Sequence, residues 1–132
     1  EESCSMKISE IFKKKGEKFF RYEEEKEVLK SLRKNNCVIA LGGGAFLNKT
    51  VRNEILKNSL SIWLDTSLET LNSRIKRNKK RPLLHRENNQ KEINRLYAER
   101  KNIYKLANHK IDCDNLDKEN IAKKIIIFYD KY

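Results

Sequence analysis

The chain has 132 residues, 38% of them hydrophobic, and a net charge of +11, which is room for one domain with a real core. No apolar run approaches the roughly 18 residues of a membrane span, so a membrane-spanning helix is excluded. Cys4, Cys37 and Cys113 are odd in number, far apart and without a CxxC pair; this excludes a disulfide framework or zinc ribbon, places the protein in a reducing cytosol, and makes the cysteines small buried hydrophobes.

The start, Glu1-Glu2-Ser3-Cys4, has neither the basic nor the apolar region of a signal peptide and no initiating Met, and is expected to be an internal point of a longer chain. Ser5 is placed to cap a helix carrying Ile8, Ile11 and Phe12 on one face, which Gly16 ends. A second helix is predicted from Glu17 to about Asn35, with Phe20, Val28, Leu29 and Leu32 as its apolar stripe. Beside that stripe, Arg21 has Glu24 and Glu25 three and four residues on, the spacing of an intrahelical ion pair.

Val38-Ile39-Ala40-Leu41 then runs into Gly42-Gly43-Gly44, three of the chain's four glycines. The run predicts a short strand buried on both faces; the glycines mean either a tight strand-to-helix turn or main-chain amides that approach a ligand closely. Asn48 caps a helix through Leu56, Leu60–Leu64 is the next strand, ending at Asp65, and Thr66-Ser67-Leu68-Glu69 has the spacing of a capping box for a helix carrying Leu68, Leu71 and Ile75. The densest basic run, Arg74 to Arg81, meets the only proline, Pro82, so residues 77–90 are expected to form a mobile cationic loop. A helix from about Lys91 to Asn108, a strand at Lys110–Cys113, and a terminal helix after Asp117 packing through Ile121, Ala122, Ile125 and Phe128 complete the chain.

Short apolar strands alternating with helices predict an α/β fold, a three-layer α/β/α arrangement around a short parallel sheet. In such sheets ligands bind beyond the carboxyl ends of the strands, the edge that holds Gly42 to Gly44, Asp65, Asp112 to Asp114 and the loop with Arg81. The positive charge predicts an anionic partner. A basic nucleic-acid-binding module is one such reading, but the aromatics follow helical core spacing and do not alternate along an exposed strand, which disfavours a base-stacking platform.

Ile8-Ser9-Glu10-Ile11-Phe12, Gly16-Glu17-Lys18-Phe19-Phe20-Arg21, Gly42-Gly43-Gly44-Ala45, Arg81-Pro82-Leu83-Leu84 and Glu99-Arg100-Lys101-Asn102-Ile103-Tyr104 together resemble shikimate kinase, a P-loop phosphotransferase related in fold to the nucleoside monophosphate kinases. The resemblance covers essentially the whole chain but begins at the family's second helix. It leaves the family's first strand, Walker A loop and second strand, with the acids that serve magnesium, outside the chain. Gly42 to Thr50 is no substitute for a Walker A loop, because Leu47 stands where the glycine before the lysine is needed.

The resemblance implies a single domain over 1–132, with substrate-binding helices in 1–36 and a mobile lid in 77–90, and ATP-dependent phosphorylation of shikimate to shikimate 3-phosphate. It implies ATP and Mg2+ as cofactors, no nucleic-acid or membrane partner, and a cytoplasmic monomer. Arg21 and Arg100 resemble the arginines that grip the shikimate carboxylate, a task suited to a planar fork; Gly43, flanked by Gly42 and Gly44, resembles the glycine whose amide reaches the substrate. Glu24 resembles the acid that orients Arg21, and Phe12, Phe20, Pro82 and Leu83 the pocket walls. Arg81 resembles the catalytic arginine at the transferring phosphates. Arg74, with the 115–118 loop through Asn115 and Lys118, resembles the adenine contacts, although Lys118 stands where a proline is frequent. Asp112 and Asp114 follow the last strand, a region the family uses near adenine and not for metal. His85 and His109 are ordinary polar positions. A relative that keeps the pocket but has lost catalysis is the second reading. The chain taken alone is expected to lack turnover, which about 35 upstream residues would restore, a length set by two strands and a helix.

Overall fold

Capping side chains and one left-handed glycine set the helix boundaries. A computed structural model describes residues 1, 4–77 and 89–132, which fall into two compact units, Glu1–Ser59 and Leu60–Tyr132.

In the first unit, α1 (Ile8–Ser31) is broken at Gly16, whose φ of 82° is open to glycine at no steric cost. The expected helix stop is there, and the chain resumes helical geometry immediately after it. The N-terminal boundary is two residues later than expected. Ser5 takes a positive φ of 49° and does not cap; Lys7 is the cap residue, and its N–H donates to Glu10 Oε2 at 3.0 Å. A single 3₁₀ turn (Ala45–Leu47) leads into α2 (Lys49–Asn58), where Asn48 Oδ1 accepts the Val51 N–H at 3.1 Å, as a cap does. Ile11, Ala45, Phe46, Val51 and Ile55 are buried and form the core of this unit.

The 38–41 run is not a strand. Val38 is 96% exposed, and no strand among the described residues pairs with the segment; without a ladder partner an apolar run has nothing to hold it in register or cover its faces. The cysteine expectation also needs correction. Cys113 is buried, but Cys4 is half-buried and Cys37, just before this uncovered run, is exposed.

In the second unit, β1 (Ile62–Asp65) and β2 (His109–Asp112) pair in parallel, Ile62 opposite His109 and Asp65 opposite Asp112. The entry to this ladder is held by side chains. The Ser61 N–H and hydroxyl both donate to Asn108 Oδ1, at 2.9 and 2.6 Å, and the Asn108 N–H donates to Ser61 Oγ at 3.0 Å. The helices are α3 (Leu68–Arg77), α4 (Asn89–Tyr104) and α5 (Lys118–Tyr129). Ser67, not Thr66, caps α3: its Oγ accepts the Thr70 N–H at 3.2 Å. Asp117 Oδ1 accepts the Asn120 N–H at 2.8 Å and caps α5. Helix α3 packs on α4 and α5 on β2. Ile121, Ile125 and Phe128 are half-buried as expected, while Ala122 is exposed. Among the described residues no helix is long and apolar enough to cross a membrane.

Candidate functional site

In the first unit, the break at Gly16 lets Phe12, which precedes it, meet Phe20, which follows it with Arg21 as its neighbour. The Phe12 and Phe20 rings lie 4.8 Å apart, centre to centre, and the Arg21 guanidinium sits 5.2 Å from the centre of the Phe20 ring. Arg21 Nη1 donates to Glu24 Oε2 at 2.7 Å, and Nη2 to Glu17 Oε1 at 3.4 Å. The Arg21 side chain keeps 37% of its exposure and Glu24 only 16%, so the acid is held in the protein while the guanidinium reaches solvent.

The glycine run comes down onto this pair. A Cβ at Gly44 would lie 2.6 Å from Arg21 Cζ and 2.8 Å from Nη2, closer still to Nη1, and a Cβ at Gly42 would lie 3.1 Å from Glu24 Oε1. Neither glycine has a positive φ, since Gly16 is the only described glycine that does. Glycine is therefore required at Gly44 by close approach, and the group that approaches is an arginine side chain. Of the two readings of Gly42-Gly43-Gly44, this geometry favours a backbone brought up against the Arg21 fork. The cleft there, between Arg21, Glu25, Gly44 and Val51, has a volume of only about 20 Å³, space for about one water molecule.

Glu25 turns elsewhere. Its Oε2 accepts from Asn48 Nδ2 at 2.8 Å, so the second acid of the expected ion pair ties α1 to the start of α2. Sequence spacing could not reveal this contact, which spans 23 positions.

In the second unit, Arg100 lies on α4 within hydrogen-bonding reach of the Tyr104 hydroxyl. Burial pushes the Tyr104 pKa up, and Arg100 pulls against that rise. The Tyr104 ring meets Trp63 edge-on at 6.1 Å. Arg100 Nε is buried without a hydrogen-bond partner among the described residues, a donor that costs stability until an acceptor reaches it. At the carboxyl ends of the strands, Asp114 Oδ1 accepts the Ser67 N–H at 2.9 Å, stapling the segment after β2 to the start of α3. That bond is the main cause that holds the Asp114 carboxyl below its ordinary range, helped by the charge of Arg74. Arg74, Asn115 and Lys118 are exposed on this side. Lys110 Nζ donates to Asp65 Oδ2 at 3.0 Å, and His109 stacks on Phe128 at 4.2 Å. Arg81, Pro82 and Leu83 lie outside the described residues.

Among the described residues no group of three or more His, Cys, Asp or Glu stands close enough to hold a metal ion. Arg74 is exposed, and its charge acts on the Asp114 carboxyl.

The family model for shikimate kinase matches residues 1–130. The shikimate kinase of Sulfurihydrogenibium is 38% identical over 96% of this chain, which covers 75% of that protein; that of Bartonella henselae is 36% identical over 96% of the chain. The chain spans 60% of the length of the Bartonella henselae relative. Among solved structures, shikimate kinase from Acinetobacter baumannii in complex with shikimate superimposes with a TM-score of 0.89 at 28% identity, over 97% of this chain and 72% of that one. The Aquifex aeolicus shikimate kinase gives 0.82 at 32% identity, over 96% and 73%. These likenesses place the described helices and short parallel sheet in the α/β fold of the P-loop kinases. The chain belongs to the shikimate kinase family.

Proposed function

We propose that this chain is the shikimate-binding and phosphate-closing part of an ATP-dependent kinase that converts shikimate to shikimate 3-phosphate, acting as a cytoplasmic monomer. The observation that carries the reading is the Arg21 fork. It is oriented by Glu24 at 2.7 Å, backed by the Phe20 ring and seated against Gly44, yet 37% exposed. A guanidinium has five N–H donors, and two are engaged here. The rest can meet a carboxylate side-on, the geometry for which arginine surpasses lysine. Family membership and the shikimate bound in the Acinetobacter relative support shikimate as the owner of that carboxylate.

In this reading Arg21 and Arg100 each donate to the substrate carboxylate, Arg100 through the Nε that has no partner among the described residues. Gly43, between Gly42 and Gly44, offers its amide to the substrate ring; Phe12 and Phe20, with Pro82 and Leu83, form apolar walls; residues 1–36 are the substrate-binding helices of one domain. Arg74, Asn115 and Lys118 lie against the adenine. Arg81 neutralises charge on the transferring phosphoryl oxygens, where an electrostatic contact that strengthens in the transition state raises turnover. ATP supplies the phosphoryl group; the residues here orient the acceptor and shield it from water. A coupled ADP-release assay on the full-length protein tests the reading: ADP release that depends on shikimate is expected, and its absence with a properly folded protein would refute it.

A further inference from the structure

Two adjacent acids on α1 do different work. Glu24 holds the Arg21 guanidinium, and Glu25 holds Asn48. The Asn48 amide is engaged at both ends, Nδ2 donating to Glu25 at 2.8 Å and Oδ1 accepting the Val51 N–H at 3.1 Å. Turning the amide over would face two donors and two acceptors at each other, so its orientation is fixed.

Between Gly42 and Asn48 the chain is one braced turn. The Ala45 N–H donates to the Gly42 carbonyl at 3.0 Å, the Leu47 N–H to Gly44 at 3.1 Å and the Asn48 N–H to Ala45 at 3.2 Å. Arg52 Nη1 donates to the Phe46 and Leu47 carbonyls, both at 3.0 Å, and Ala45 and Phe46 are buried. A segment braced in this way moves with its anchor. The turn also has little slack over Arg21 and Glu24, given the space left at Gly44 and Gly42.

We infer that the Glu25–Asn48 pair is a positioning device that sets the height of the Gly42–Gly44 turn over Arg21, and with it the fit of the substrate carboxylate; this last step rests on the function proposed above. In this arrangement the side chains of Glu25 and Asn48 are spent on each other and on the Val51 N–H. Each acts through the turn that Asn48 anchors.

The test uses full-length protein with Asn48→Asp, alone and combined with Glu25→Gln. Aspartate caps a helix as well as asparagine, so α2 keeps its start. In the single variant, however, a carboxylate faces Glu25 across what was a 2.8 Å bond, and repulsion lifts the turn. In the double variant the glutamine amide donates to the new carboxylate and the tie is restored with its direction reversed. The single variant is expected to raise the shikimate KM about tenfold with the ATP KM and melting temperature little changed, since small misplacements at a reacting site are costly. The double variant is expected to return the KM to within about twofold of wild type. Labelling of Arg21 with phenylglyoxal, followed by peptide mass spectrometry, reads the same displacement without any substrate: faster in the single variant, restored in the double. Unchanged labelling of Arg21 in the single variant overturns the inference whatever the activity, as does a KM rise that the second substitution does not reverse. Absent shikimate turnover in wild type, with the labelling pattern intact, counts against the proposed activity and leaves the positioning device standing.

Discussion

Replacing Gly44 by alanine separates substrate binding from folding. The backbone there is αR, with φ of −93° and ψ of −23°, so alanine is free of backbone strain and gains about 0.4–1 kcal/mol by restricting the unfolded chain. The added Cβ would lie 2.6 Å from Arg21 Cζ, against the 3.4 Å at which ordinary contact begins. The guanidinium must therefore withdraw by more than 3.4 − 2.6 = 0.8 Å, because Nη1 lies closer still than Cζ, and it can do so toward solvent. Moving it stretches or breaks the 2.7 Å bond to Glu24, and a partly exposed pair of this kind contributes about 0.2–1 kcal/mol. Gain and loss nearly cancel, so the melting temperature is expected to stay close to wild type. Shikimate affinity, which depends on where the fork points, is expected to fall by about 10- to 100-fold. Calorimetric titration with shikimate beside a thermal melt measures both. Undiminished affinity would refute the claim that Gly44 exists to seat Arg21; a collapse in stability would show that the turn carries packing beyond its contact with Arg21.

Arg21→Ala or Arg100→Ala is expected to weaken shikimate binding by about 2–5 kcal/mol, with lysine a poor substitute and ATP affinity little changed; titration with each ligand checks this. Arg81→Ala is expected to lower kcat much more than it raises the shikimate KM, because its contact strengthens in the transition state; steady-state kinetics reporting the reverse would make it a substrate-positioning group. Asn108→Ala strands the buried Ser61 N–H at the start of the parallel ladder and is expected to cost about 1–3 kcal/mol in a denaturant melt. Asp114 has a depressed folded-state pKa, so its staple contributes above the ordinary aspartate value of about 4 and is lost as pH falls through the lower folded value. Wild type is therefore expected to lose melting temperature below about pH 4 more steeply than Asp114→Asn, and parallel curves would contradict this.

Features written into single side chains were legible in the sequence. The break at Gly16, the Asn48 and Asp117 caps and the proximity of Arg21 to Glu24 all depend on residues within four positions of each other. The 38–41 run was misread because a strand is defined by its neighbour, and none pairs with it among the described residues. The glycines showed that something must come close. That it is Arg21 depends on how α1 and the following turn meet, which no local pattern encodes. For the same reason Glu25 looked like a second partner for Arg21, whereas it anchors Asn48. The Asp114 staple to Ser67 also joins distant segments and had no sequence signal beyond its place after the last strand.

The most direct test of the account is to identify the product. Full-length protein incubated with ATP and shikimate, followed by phosphorus NMR, is predicted to yield one phosphate ester on the shikimate ring, formed only when shikimate is present and strongly reduced by Arg21→Ala. ATP hydrolysis that is indifferent to shikimate, or ester formation that is indifferent to Arg21, would contradict it.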